Sequence, residues 1–314
     1  MVSAATNAMT PSTPATDAAA QAFDEQLALA PWRVARAKLK RHRGAQIGAG
    51  LVLLLVLLAV AAPLLAGHDP YEQDLTRRLL PPVWDAVRGT WEHPLGTDHL
   101  GRDYASRLLY GARISLTIGL TAAAIGMLIG TVLGVAAGFF GGTVDRIANY
   151  LLTCQLALPG LLLAMALVFL IGPSTTVVIV VIGLLHWTYF LVVSRAATQQ
   201  LRNLEFVAAA RAAGASRLQL LWHEVLPNLR SQIIVVFTME VGMAIVAEAS
   251  LSFLGVGVPS PTPSWGLMIA EGRNFMFLRP ELVLLPGCAL FLLVVGINLL
   301  GDGLRDVTAT GGRS

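Results

Sequence analysis

Residues 205–228 read EFVAAARAAGASRLQLLWHEVLPN, a polar insert between two strongly apolar stretches. Its order predicts a short helix, a glycine turn and a second short helix. Asn203 is placed to cap the first helix, Gly214 to end it in the left-handed conformation, and Ser216 with Gln219 to form a capping box for the next. Pro227 is expected to stop the second helix. Leu218, Leu221, Trp222 and Val225 follow the i, i+3, i+4, i+7 rhythm of one apolar stripe, with Leu220, His223 and Glu224 turned outward. Ala208, Ala209 and Ala212 give the first helix a smooth face of small side chains. Such a knuckle, projecting from a membrane, is shaped to be gripped.

The surroundings make the membrane explicit. Of 314 residues, 55% are hydrophobic and only 13% charged, too little polar surface for a soluble globule. A helix crosses the hydrocarbon core with about twenty largely apolar residues, and six such stretches occur. They lie near Ile47–Ala66, Ile114–Phe140, Ile147–Ile171, Thr175–Ser194, Gln232–Leu251 and Leu282–Gly301. No Asp, Glu, Lys or Arg falls between Arg146 and Arg195, and Gly172-Pro173-Ser174 divides that run into two spans. The fold class is therefore all-α, with six transmembrane helices and both termini on one side.

Lys and Arg give the side. With both termini cytoplasmic, the inner segments carry fourteen Lys and Arg and the outer segments eight, and the dense cluster Arg33, Arg36, Lys38, Lys40, Arg41, Arg43 abuts the first span. The knuckle then faces the cytoplasm. Residues 1–30, rich in Ala, Thr, Ser and Pro, read as a disordered tail. Residues 31–111 hold a basic interfacial segment anchored by Trp32 and Leu39, the first span and an outer loop; 112–306 hold five spans, and 307–314 a short tail. The first apolar run follows a long basic leader and is long enough to span, which argues against a cleaved signal peptide. Cys154 and Cys288 lie in apolar runs and are expected as small buried hydrophobes.

The second span carries Gly126, Gly130, Gly134, Gly138 and Gly142 at every fourth residue, continuing the line of Ala122. Such a row leaves a groove in which another backbone packs closely. The neighbour is either in this chain or in a partner.

The knuckle resembles the cytoplasmic loop of permease subunits of binding-protein-dependent ABC importers. Ala209, Ala210, Gly214, Val225, Leu226 and Pro227 match its Glu-Ala-Ala, glycine and hydrophobic-x-Pro signature in spacing. Ala208 stands where the family usually has its glutamate, so that residue's role is not carried over; Glu205 supplies a neighbouring carboxylate. HPLGTDHLGRDYASRLLYGARISL (93–116), EASLSFLGVG from Glu248, PTPSWG from Pro261 and NLLGDGLRD from Asn298 resemble the C-type permease of dipeptide, oligopeptide and nickel importers. The likeness runs from about residue 31 to Asp306; the tail VTATGGRS departs from the family's Asp-Pro-Arg ending.

The resemblance implies a type I ABC importer permease of the bacterial inner membrane, surrounded by lipid, with a cytoplasmic coupling helix. Its partners would be a second homologous permease, two ABC ATPases that carry ATP and Mg, and an extracytoplasmic solute-binding protein. The substrate would be a peptide, with a nickel or metal chelate as the alternative, and the chain itself would hold no cofactor. ATPase coupling would fall to Glu205, Ala209, Ala210, Arg211, Gly214, Ser216, Leu226 and Pro227. A membrane-anchored regulator is a further alternative, weakened by the lack of an added soluble domain. A DNA-binding helix-turn-helix would need a third helix and a phosphate-binding row, which about thirty residues between spans do not supply.

Enzymatic chemistry finds little support: the chain has no GxxxxGK[ST] loop and no recognisable nucleophile elbow. His93, Asp98, His99 and Asp103 lie within eleven residues and could bind zinc, but HExxH spacing is absent and Pro94, Gly96 and Gly101 suggest turns. Their expected part is at the outer gate, with Thr97 and Asp98 capping a short helix and Arg102 and Asp103 pairing with each other or with a partner. Glu240 falls mid-span and Glu248 two turns on, at a cost of a few kcal/mol unless paired or hydrated. They read either as an acidic wall meeting the amino terminus of a peptide or as protonated or paired groups.

Overall fold

The computed structural model describes residues 42–309, so the expected tail over 1–30 and nearly all of the basic interfacial segment lie outside the described residues. Helix α1 (Arg43–Leu65) is capped by His42, whose Nδ1 accepts from Ala45 N–H at 3.1 Å. A looped segment with one 3-10 turn (Leu75–Arg77) leads to α2 (Tyr104–Phe140), the long central helix. There follow α3 (Gly142–Leu156), α4 (Gly160–Ile171), α5 (Thr175–Leu185), α6 (Trp187–Leu201) and α7 (Glu205–Ala212). Then come α8 (Arg217–Gln219), a π turn (Leu220–Val225), α9 (Leu226–Phe253), α10 (Trp265–Gly272) and α11 (Glu281–Ala309).

Five helical stretches among these are long and apolar enough to cross a membrane: Arg43–Leu65, Tyr104–Phe140, Thr175–Leu201, Arg217–Phe253 and Glu281–Asp306. The stretch Ile147–Ile171 is not the single helix expected there. Its halves, α3 and α4, meet at 86°. Pro159 causes the break: it lacks an N–H and drives Leu158 out of helical geometry, then serves as the cap of α4. The Gly172-Pro173-Ser174 turn forms as expected, with Gly172 at φ 109° and Ser174 capping α5.

Helix α2 packs against α6, α9, α5 and α1. The glycine row decides the first of these contacts, and the neighbour is in this chain. A Cβ on Gly126 would sit 3.0 Å from the His186 carbonyl oxygen, one on Gly134 2.6 Å from that of Leu191, and one on Gly138 2.7 Å from that of Arg195. Gly130 meets α6 between them, at Trp187 and Phe190. Gly142 does not belong to the row, because α2 ends at Phe140 and Gly141 and Gly142 turn the chain at φ 66° and 56°. A Cβ on Gly142 would touch nothing within 4 Å.

One core joins α1, α2, α9, α10 and α11 around Leu55, Ile245, Trp265, Met268 and Leu293. A second lies between α2, α4, α5 and α9 around Ile118, Val168, Ile182 and Leu251. Outside them the helices present bare apolar faces, such as Leu64, Phe169 and Leu170, where a hydrocarbon solvent takes the place of water. Cys154 and Cys288 are on these exposed faces, not buried as expected.

Candidate functional site

The knuckle has the predicted turn and a different second half. Helix α7 ends in a Schellman motif: Gly214 takes φ 90°, its N–H donates to Arg211 O at 3.1 Å, and Ala215 N–H reaches Ala210 O at 3.1 Å. Ser216 Oγ accepts from Gln219 N–H at 3.3 Å while Gln219 Oε1 accepts from Ser216 N–H at 2.8 Å, the reciprocal capping box. Asn203 is not the cap of α7. That position is Leu204, and Asn203 Nδ2 donates back to Gln199 O at 3.1 Å.

Pro227 does not stop the helix either. The turn before it is widened, with Leu226 N–H donating to Leu221 O five residues back, and a wide turn relieves the clash between a proline ring and the preceding carbonyls. Helix α8 thus runs through the π turn into α9. The extra residue shifts the helical phase, so the buried row is Leu221, Val225 and Leu229 at four-residue spacing, packed on Val135 and Ala197. Leu220 is buried rather than outward, and Leu218 and Trp222 stand out of the stripe, each 66% exposed. Ala208, Ala209 and Ala212 are exposed as expected, as are Glu205, Arg211, Ser216 and Pro227; Ala210 and Leu226 are half-buried.

The root of the knuckle is tied to the bundle by arginines. Arg202 Nη1 donates to the carbonyls of Gly138 at 3.0 Å and Phe139 at 3.3 Å, satisfying the last turn of α2. Arg195 clamps Asp145 at the start of α3, with Nη2 to Oδ2 at 2.8 Å. Short polar contacts therefore tie the root of the knuckle to α2, and α6 to α3. A cleft of about 490 Å³ beneath it is lined by Phe139, Phe140, Arg202, Arg211 and Arg217.

At the opposite end of α2 the looped segment is pinned by buried charge. Asp103 caps α2, its Oδ2 accepting from Ser106 N–H at 2.8 Å. It does not pair with Arg102. Arg102, fully buried, pairs with Asp98 at 2.6 Å and with Glu271 at 2.8 Å, and Arg107 joins the same two carboxylates at 3.4 and 3.2 Å. Asp98 closes a turn rather than capping a helix, taking the N–H groups of Leu100 and Arg102. Arg77 binds Glu92 and holds its carboxyl below the usual carboxylate range. The four residues weighed as zinc ligands divide: His93 and Asp103 face His68, whereas Asp98 and His99 face Glu271.

Of the two mid-span acids, Glu240 is paired within the chain, its Oε2 2.7 Å from His186 Nδ1 at the junction of α5 and α6. Glu248 is fully buried and accepts from Ser252 Oγ at 2.7 Å and Ser264 Oγ at 2.8 Å. It fastens α9 to the start of α10 and forms no wall with Glu240. Glu271, His186, His68 and the Arg195–Asp145 clamp carry no local sequence signal, because each partner is at least 25 residues away.

Residues 130–310 match the family described as binding-protein-dependent transport system inner membrane component, and residues 30–82 match the N-terminal transmembrane domain of oligopeptide transport permease C. The chain belongs to this permease family. The permease is 38% identical over 283 residues to the dipeptide transport system permease protein DppC of Alkalihalophilus pseudofirmus, covering 90% of this chain and 91% of that one. It is 42% identical over 265 residues to the di/tripeptide permease DppC of Pseudomonas aeruginosa, covering 84% and 87%. To the glutathione permease GsiD of Pectobacterium atrosepticum it is 40% identical over 277 residues, covering 88% and 90%. Its fold matches that of the inward-facing MetNI methionine ABC transporter at a TM-score of 0.52 and 18% identity, over 65% of this chain and 95% of that one. As an inner-membrane transport component, the permease is a non-catalytic part of its importer.

Proposed function

We propose that this permease is one of two homologous membrane subunits of a peptide importer and that residues 205–228 are its coupling element. In this reading α3 and α4 together make the sixth crossing, both termini are cytoplasmic, and the knuckle seats in a cleft of an ATPase that carries ATP and Mg. A solute-binding protein docks over the looped segment at the other end of α2. ATPase closure pushes on the knuckle, and the Arg202 and Arg195 ties pass the motion to the spans.

The observation that carries the reading is the knuckle itself: a rigid turn, internally capped, that presents Ala209, Ala212, Leu218 and Trp222 to solvent in a chain of this family. Relatives named for dipeptides, tripeptides and glutathione support a short peptide as the cargo. Uptake of radiolabelled dipeptide by cells deleted for the chain tests this. Uptake is expected to vanish on deletion and return on complementation. Unchanged peptide uptake with loss of nickel uptake would transfer the permease to metal-chelate import.

A further inference from the structure

Three donors of metal-ligand chemistry converge beside the first turn of α2. Asp103 Oδ1 lies 2.9 Å from His93 Nδ1 and 3.9 Å from His68 Nδ1, and the two imidazole rings stand 4.6 Å apart. One donor atom from each lies within 4.8 Å of the others. Zinc held at about 2.0–2.2 Å from nitrogen and oxygen needs donors about 3.3 Å apart at the tetrahedral angle. The two separations from Asp103, 2.9 and 3.9 Å, bracket that spacing.

The local field favours a cation. A cavity of about 260 Å³ opens on the cluster, and its wall adds Asp69, Glu72, Asp74 and Glu92 to Asp103. Arg77 is the one guanidinium in that wall; it is engaged by Asp74 and Glu92, and its Nη1 also approaches His93 Nε2 at 3.4 Å, so that His93 turns Nδ1 toward Asp103. Asp103 is oriented through its other oxygen by Ser106 N–H at 2.8 Å, the kind of outer contact that holds a ligating carboxylate in place. The neighbouring trio Asp98, His99 and Glu271 differs, because Arg102 and Arg107 already neutralise its carboxylates. Imidazole with carboxylate suits zinc and similar divalent transition ions rather than calcium or magnesium.

We propose that His68, His93 and Asp103 bind a divalent transition-metal ion of the zinc type. The ion fastens the chain leaving α1, and the loop around residue 93, to the start of α2. His68 is already held there by its backbone, whose N–H donates to Ser106 Oγ at 3.3 Å, so little ordering is left to oppose binding. The site stands at the far end of α2 from the knuckle, about 55 Å away at 1.5 Å per residue. Its role is independent of ATPase coupling.

The full chain, co-purified with its partner subunits and stripped with chelator, is titrated with Zn²⁺ by calorimetry and with Co²⁺ as an optical probe. One ion per permease is expected, with tetrahedral Co²⁺ absorption that Zn²⁺ displaces and a melting temperature that rises on Zn²⁺ addition. His68→Ala and His93→Ala are each expected to weaken binding by about 100-fold and to abolish the thermal shift. His99→Ala, in the neighbouring trio, should leave both unchanged. His68 is half-exposed, so its variant remains informative if His93→Ala fails to fold. Absence of saturable uptake by the wild type, or equal uptake by wild type and both variants, would overturn the proposal.

Discussion

Glu240 Oε2 lies 2.7 Å from Nδ1 of His186, which joins the middle of α9 to the junction between α5 and α6. Residue 240 is 8% exposed and His186 is half-buried, so breaking the pair leaves a polar group of Glu240 unsatisfied in the interior. Leaving a buried hydrogen-bonding group unsatisfied costs about 1–3 kcal/mol. Glu240→Ala and His186→Ala should each lower the melting temperature of the purified complex. The double variant should lose less than the sum, with a coupling of about 0.5–3 kcal/mol. Strict additivity would mean that the contact contributes nothing, and would restore Glu240 as a free carboxylate on a transport path.

Close approach of α2 and α6 sets a second expectation. Gly134→Val would drive a side chain into the Leu191 carbonyl and Ser194, at a cost of about 1–3 kcal/mol or more. Lower amounts of the subunit in membranes should follow. Gly50→Ala, where an added Cβ meets nothing within 4 Å, should leave the amount unchanged. Immunoblots of membrane fractions compare the two, and equal amounts would contradict the groove.

The buried charges of the looped segment before α2 predict an asymmetry between cations. Arg102 serves Asp98 and Glu271 at once with a planar fork, which a lysine ammonium cannot reproduce. Arg102→Ala and Arg102→Lys should both destabilise the subunit, by about 3–5 kcal/mol for the alanine. Thermal unfolding in detergent reads this directly. Full rescue by lysine would show that net charge alone matters there.

Legibility in the sequence followed the range of the interactions. The Gly214 turn and the Ser216–Gln219 box are made by neighbours, and the residues announce them. Where the helical period was extrapolated, a single wide turn at Leu220–Val225 moved Trp222 and Leu218 out of the stripe and Leu220 into it. The break at Pro159 did carry a signal, an X-Pro step inside an apolar run, which hydropathy outweighed. The pairs Arg102–Glu271, Glu240–His186 and Glu248–Ser264 join separate segments of the chain, so no spacing rule reaches them. The glycine row showed a groove and left its occupant open, because a groove does not name what fills it.

Sidedness is tested by labelling. With Cys154 and Cys288 replaced, single cysteines at Gln219 and at Arg77, both exposed, should react with an impermeant thiol reagent from opposite faces of the membrane. Reaction of both from outside would contradict six crossings with cytoplasmic termini.

The coupling role proposed for the knuckle rests on the turn at Gly214, held at φ 90° with open space where a Cβ would stand. A β-branched residue there strains the backbone by about 1–3 kcal/mol without colliding with the bundle. The spans should therefore still assemble. The most direct measurement is retention of the ATPase subunits by purified Gly214→Val permease, together with ATP hydrolysis in lipid with and without loaded binding protein. Loss of retention and of stimulated hydrolysis, at normal permease levels, is the expected result. Undiminished retention and stimulation would show that residues 205–228 are not the coupling element.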